Sequence, residues 1–86
     1  NESVSRELVL VKVRADGQNR QAIIGITDIF RAKIIDVGID SLIIELTGNQ
    51  SKIDAFIRLL EGYEILELAR TGITGLSRGA EDVRYL

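Results

Sequence analysis

Apolar and polar positions alternate along Arg6–Arg14, where Val9, Val11 and Val13 interleave with Leu8, Leu10, Lys12 and Arg14. A valine-rich segment with a two-residue period predicts a strand, and the turn formers Asp16-Gly17-Gln18-Asn19 end it. The period then lengthens. Over Arg20–Arg31, Ile23, Ile26 and Phe30 recur at helical spacing, with Ala22 and Ile29 beside them, as one apolar stripe. Asn19 is the candidate N-cap of this helix. Gly25 lies mid-helix, where glycine costs about 1 kcal/mol relative to alanine; a close approach to the sheet would explain it. Two short β-rich runs follow, Lys33–Val37 and Leu42–Thr47, separated by Gly38-Ile39-Asp40-Ser41, a length and composition suited to a hairpin. Helical spacing returns over Ser51–Leu60 with Ile53, Phe56, Ile57 and Leu60. Ser51 with Asp54 fits a capping box, and Asn49 is the alternative cap. Glu61-Gly62 ends the helix. Glu64–Thr71 reads as the last clear strand, Gly72–Gly79 as a loosely patterned glycine-rich stretch, and 80–86 as a polar tail.

The element order is β-α-β-β-α-β. It predicts an α+β domain of the ferredoxin-like βαββαβ type, a four-stranded antiparallel sheet with two helices on one face. Two helices cover one face only, and the other should be polar if the domain lives alone in water. Strict alternation assigns Val9, Val11, Val13, Ile35, Val37, Leu42, Ile44, Leu46, Leu66 and Leu68 to the core. The opposite face then still carries Leu8, Leu10, Ile34, Ile43, Ile65 and Ala69, mixed with Lys12, Asp36, Glu45 and Glu67. Large aliphatics on adjacent strands, interleaved with charges of both signs, point to a self-complementary dimer interface. Leu8, Leu10, Ile34, Ile43 and Ile65 are its candidate residues.

At 86 residues the chain is one domain, expected to run from 6 to 79 after a linker at 1–5. It lacks an initiator Met, which suggests a processed piece, and it contains no apolar run long enough to span a membrane and no signal peptide. There are no cysteines, histidines, methionines, tryptophans or prolines. A disulfide framework, a Cys/His metal site, a thiol nucleophile and a catalytic histidine are thereby excluded. The net charge of −2 is poor equipment for gripping phosphates. Sheet-face RNA recognition needs exposed aromatics, yet both phenylalanines sit in helix stripes and neither tyrosine lies in a strand. Gly72–Gly79 matches neither G-x-x-x-x-G-K-[ST] nor G-x-G-x-x-G, so a phosphate loop is not expected. The carboxylates are spread over every element without a catalytic pairing.

Four polar residues remain as candidate ligand or partner contacts. Arg70 sits at a strand end, where a guanidinium suits an anion or a partner carboxylate. Arg31 complements the C-terminal dipole of the first helix. Asp16 and Asn19 lie in the first strand-to-helix loop, at the end of the sheet where regulatory domains of this topology often hold small ligands.

Several strings resemble one family. Arg6-Glu7-Leu8-Val9-Leu10-Val11-Lys12-Val13, Asp28-Ile29-Phe30-Arg31-Ala32-Lys33-Ile34-Ile35-Asp36-Val37, Leu46-Thr47-Gly48, Lys52-Ile53-Asp54-Ala55-Phe56, Ala69-Arg70-Thr71-Gly72 and Leu76-Ser77-Arg78-Gly79 occur in an order and spacing similar to the C-terminal domain of the acetolactate synthase small (regulatory) subunit. The resemblance implies a non-catalytic domain that dimerises and binds the catalytic subunit, supporting its activation and feedback regulation in branched-chain amino acid biosynthesis. It implies thiamine diphosphate, Mg²⁺ and FAD in the catalytic subunit and no cofactor in this chain. A branched-chain amino acid effector would act through the family's N-terminal ACT domain, whose binding motif is absent here. Cytoplasm is the expected location, or plastid or mitochondrion in a eukaryote. The competing expectation is a stand-alone ACT-like amino-acid sensor, with ligand near Asp16–Asn19.

Overall fold

The computed structural model describes residues 3–71 and 74–77. Its elements are β1 (Ser3–Arg14), α1 (Arg20–Phe30), β2 (Lys33–Val37), β3 (Ser41–Gly48), α2 (Gln50–Leu60), β4 (Ile65–Arg70) and β5 (Thr74–Ser77). The strands form one antiparallel sheet in the order β2-β3-β1-β4, and β5 also pairs with β1. This is the expected ferredoxin-like βαββαβ fold with two additions. β1 starts at Ser3, inside the stretch expected to be a linker, and the glycine-rich stretch contributes β5. The reason is one of length. β1 outruns both neighbours, since its rungs end at Glu7↔Gly48 with β3 and Val9↔Arg70 with β4. Ser3–Arg6 is left with unpaired backbone groups, which β5 satisfies from Ser3↔Ser77 to Arg6↔Thr74. The polar tail 80–86 lies outside the described residues.

The core follows the pattern along the central strands. Val9, Val11 and Val13 of β1 and Leu42, Ile44 and Leu46 of β3 are in register and buried, and Ile23, Ile53, Phe56 and Leu60 close over them from the helices. Each such aliphatic contributes about 1.5–3 kcal/mol on full burial. The stripe of α1 is narrower than expected. Ala22 is exposed and Ile29 is 76% exposed, because both lie roughly 100–120° around the helix from Ile23. Thr27 takes the buried position instead, and its hydroxyl donates to the Ile23 carbonyl at 2.9 Å. α2 is capped by Asn49, whose side chain accepts from the Lys52 N–H at 2.8 Å.

On the edge strands the alternation breaks. The register shifts between Ile34 and Asp36 in β2, and between Ile65 and Glu67 in β4. Each shift is a β-bulge, and one extra residue reverses which face every later side chain takes. Ile34 therefore stands opposite Ile44 and Ile65 opposite Val13, both packed against the core. Their expected placement on the open face is corrected. Ile35 and Leu66, expected inside, are the bulged residues and stand outside the core. Val37 and Leu68 are in register with buried Leu42 and Val11, yet remain 66% and 42% exposed at the two edges of the sheet.

Candidate functional site

The sheet face away from the helices is built on the even positions of β1. Leu8, Leu10 and Lys12 stand opposite Thr47, Glu45 and Ile43 of β3, while Leu10 and Lys12 stand opposite Ala69 and Glu67 of β4. On the far side, Ile43 and Glu45 are in register with Asp36 and Lys33 of β2. Leu8, Leu10 and Ile43 are only half-buried, and Leu10, Lys12, Ile43, Glu67, Leu68 and Ala69 line a shallow concavity of about 550 Å³. Opposite charges sit across from one another, Lys12 with Glu67 and Lys33 with Glu45, an arrangement worth a few tenths of a kcal/mol per pair. The surface is therefore aliphatic at its centre and nearly neutral around it. Of the five residues expected here, Leu8, Leu10 and Ile43 are on this face and Ile34 and Ile65 are on the other.

Arg70 is on the helix side, at the end of β4. Its Nη2 donates to Glu7 Oε1 at 2.7 Å and to Asp54 Oδ1 at 2.8 Å, and its Nε donates to the same Glu7 oxygen at 3.1 Å. The fork ties β4 to β1 and α2. The bond to Glu7, followed by that to Asp54, raises the guanidinium pKa above its ordinary value. Glu7 is 7% exposed, so Arg70 is what accommodates its carboxylate under α2.

Asp16 and Asn19 are spent on their own loop. Asp16 Oδ1 accepts from the Gln18 and Asn19 N–H groups, and Asn19 Oδ1 accepts from the Asp16 N–H at 2.8 Å. Asn19 occupies the N-cap position of α1 without a side-chain capping bond. The Asx geometry of Asp16 is what starts the helix. Arg31 ends α1 in the left-handed region, at φ 57°, with its N–H returning to the Asp28 carbonyl at 3.1 Å. These four residues do not converge. Arg70 belongs to the β4–α2 side, Asp16 and Asn19 to the β1–α1 loop, and Arg31 to the far end of α1.

Arg20, which no sequence motif marks, holds two loops together. Its Nη2 lies 2.8 Å from each of three carbonyl oxygens, those of Ala15, Gly38 and Ile39, and so clamps the β1–α1 loop to the β2–β3 hairpin. An arginine at a helix start carries no signature that would have marked it. Among the described residues no group of three or more His, Cys, Asp or Glu side chains could hold a metal ion, and no helix is long and apolar enough to cross a membrane.

Residues 6–79 match the family model described as the small subunit of acetolactate synthase. The chain is 49% identical over 81 residues to the acetolactate synthase small subunit of Mycolicibacterium smegmatis, covering 94% of this chain and 48% of that protein. It is 46% identical over 78 residues to the Bacillus subtilis small subunit, covering 91% and 45%. The crystal structure of the Thermotoga maritima acetolactate synthase small subunit superimposes with a TM-score of 0.83 at 47% identity, over 91% of this chain and 48% of that one. The chain thus spans about half the length of the relatives it matches.

Proposed function

The chain belongs to the acetolactate synthase small-subunit family, as its C-terminal domain, and we propose that it is the dimerising, non-catalytic part of a regulatory subunit. In this reading two copies join through the open sheet face. The assembly supports activation and feedback regulation of a thiamine-diphosphate-dependent catalytic subunit, which supplies the cofactors. The amino-acid effector acts through the family's N-terminal domain.

The observation that carries the dimer is the face itself. Leu8, Leu10 and Ile43 form a contiguous aliphatic centre, flanked by opposite charges in register on both sides. A near-neutral patch of mixed sign meets a two-fold copy of itself without net repulsion. Coupling to the catalytic subunit needs only a difference in affinity between its active and inactive states. The alternative of a stand-alone amino-acid sensor at Asp16–Asn19 has less support, because Asp16 Oδ1 and Asn19 Oδ1 already accept backbone N–H groups of their own loop.

Light scattering tests the reading. The expected mass is twice 9.5 kDa, falling to one copy when Leu10→Asp and Ile43→Asp are combined. In the intact small subunit the same pair should reduce activation of the catalytic subunit. Normal activation by a monomeric variant would overturn the dimer.

A further inference from the structure

We propose that two copies of the chain pack with their two-fold axis along the diagonal from Leu10 to Ile43, so that Lys12 of each protomer pairs with the partner's Glu45. The proposal deepens the dimer reading above and rests on it.

Among the described residues, all four ion pairs are made by Arg14 and Arg70. On the open face Lys12 stands opposite Glu67 and Lys33 opposite Glu45, yet neither couple closes into an ion pair. Lys12 and Glu45 are half-buried beside Leu10 and Ile43. Charges set among aliphatics lose water when the surface is covered, and an uncompensated one is costly. A covering molecule must therefore bring charges of opposite sign to these positions, and a second copy does so in one orientation.

The register fixes where each residue lies. Leu10 is central, with Leu8 before it on β1, Ala69 beside it on β4 and Glu45 beside it on β3, while Lys12 and Ile43 lie side by side one step further on. Neighbouring strands are about 4.8 Å apart, and same-face residues about 6.8 Å apart along a strand. When two identical sheets pack face to face about an axis lying between them, each residue meets the position mirrored across that axis. An axis along β1 sets Lys12 on the partner's Lys12. An axis across the strands at Leu10 sets Glu45 on the partner's Glu45. The diagonal through Leu10 and Glu67 sets Glu67 on the partner's Glu67. The diagonal through Leu10 and Ile43 sets only aliphatics on themselves. It brings Lys12 over the partner's Glu45, Glu67 over the partner's Lys33 and Leu8 over the partner's Ala69, each with a lateral offset of about 3 Å. The strands of the two copies then cross at about 70°, nearer the orthogonal than the aligned class of sheet packing. Each contact occurs twice, so a single pairing neutralises two lysines and two glutamates in the covered surface.

The test is the dimer dissociation constant of this chain, by analytical ultracentrifugation, with Lys12→Glu and Glu45→Lys each alone and as an equimolar mixture. Either reversal alone sets like charges together twice and should weaken the dimer about tenfold or more. In the mixture, a chain of one kind meets a chain of the other with opposite charges at both contacts, so mixed dimers should form with nearly the original affinity. Failure of two folded, weakened variants to recombine overturns the pairing, and so does unchanged affinity in either variant alone. Both results leave the dimer itself standing. A monomeric unsubstituted chain removes the dimer reading, and the pairing with it. Should a reversed chain fail to fold, Lys12→Ala and Glu45→Ala take its place: together they should weaken the dimer less than the product of their separate effects, and strict additivity overturns the pairing.

Discussion

Phe30, at the last turn of α1, meets Phe56 of α2 edge to face, with ring centroids 5.3 Å apart and planes at 63°. The pair joins the two helices over the sheet, and Phe56 is fully buried while Phe30 is partly so. Phe56→Ala should destabilise the domain by about 3–5 kcal/mol in denaturant unfolding. In a double-mutant cycle with Phe30→Ala, the coupling should be about 0.5–1.5 kcal/mol. Additive single effects would mean that the rings merely share the core.

Gly25 offers the opposite sign. A close approach to the sheet would have explained a glycine inside α1, but a Cβ built there meets nothing within 4 Å. Gly25→Ala should therefore stabilise the domain by about 0.5–1 kcal/mol, through helix propensity and a less disordered unfolded chain. A loss of thermal stability would contradict the open space at this position.

The two asparagines before the helices should behave differently. Asn49 makes the capping bond of α2 and Asn19 makes none to α1. Asn49→Ala should cost about 1 kcal/mol. Asp16→Ala should harm the start of α1 more than Asn19→Ala does, because Asp16 accepts two backbone N–H groups and Asn19 accepts one. Urea midpoints of the three variants would rank them.

Arg70 and Arg14 each bridge two carboxylates, but their settings differ. Glu7, beneath Arg70, has a side chain only 8% exposed, whereas Glu64 and Asp40 beside Arg14 are 62% and 65% exposed. Arg70→Met should lower the thermal midpoint more than Arg14→Met, since only the former strands a carboxylate away from water. Both guanidinium pKa values are raised, Arg70 chiefly by Glu7 and Arg14 chiefly by Glu64. A raised value means that the stabilisation is complete below the unfolded-state pKa and fades only as pH climbs through the folded one. That window lies in strong alkali. With no histidine in the chain, the thermal midpoint should be flat between about pH 6 and pH 9.

The sequence was most legible where a side chain's chemistry and its place agree. Val9, Val11 and Val13 alternate with Leu8, Leu10 and Lys12 along a regular strand, so both faces of β1 could be read directly. The edge strands were less transparent. Ile34 and Ile35, like Ile65 and Leu66, are adjacent aliphatics, and nothing in their composition marks which one a bulge displaces. Thr27 was hidden because its hydroxyl finds a partner inside α1 itself, which lets a polar residue sit in the core. β5 was missed because pairing with the overhang of β1, more than any pattern in Thr74–Ser77, makes it a strand. In the candidate site, the aliphatic centre was visible in outline. Arg20, Arg70 and Asp16 acquire their roles from partners that only folding brings near.

The central position of β1 also shapes how the domain is made. Within this sheet β1 leaves the ribosome ahead of its neighbour β4, which follows only after β2, β3 and both helices. Until β4 arrives, β1 offers a row of unsatisfied amides and carbonyls beside β3. Ordering during synthesis must wait for the distant pairing of Val9 with Arg70, a long loop to close before the reward of contact. A nascent chain stalled before β4 would be a natural target for chaperones.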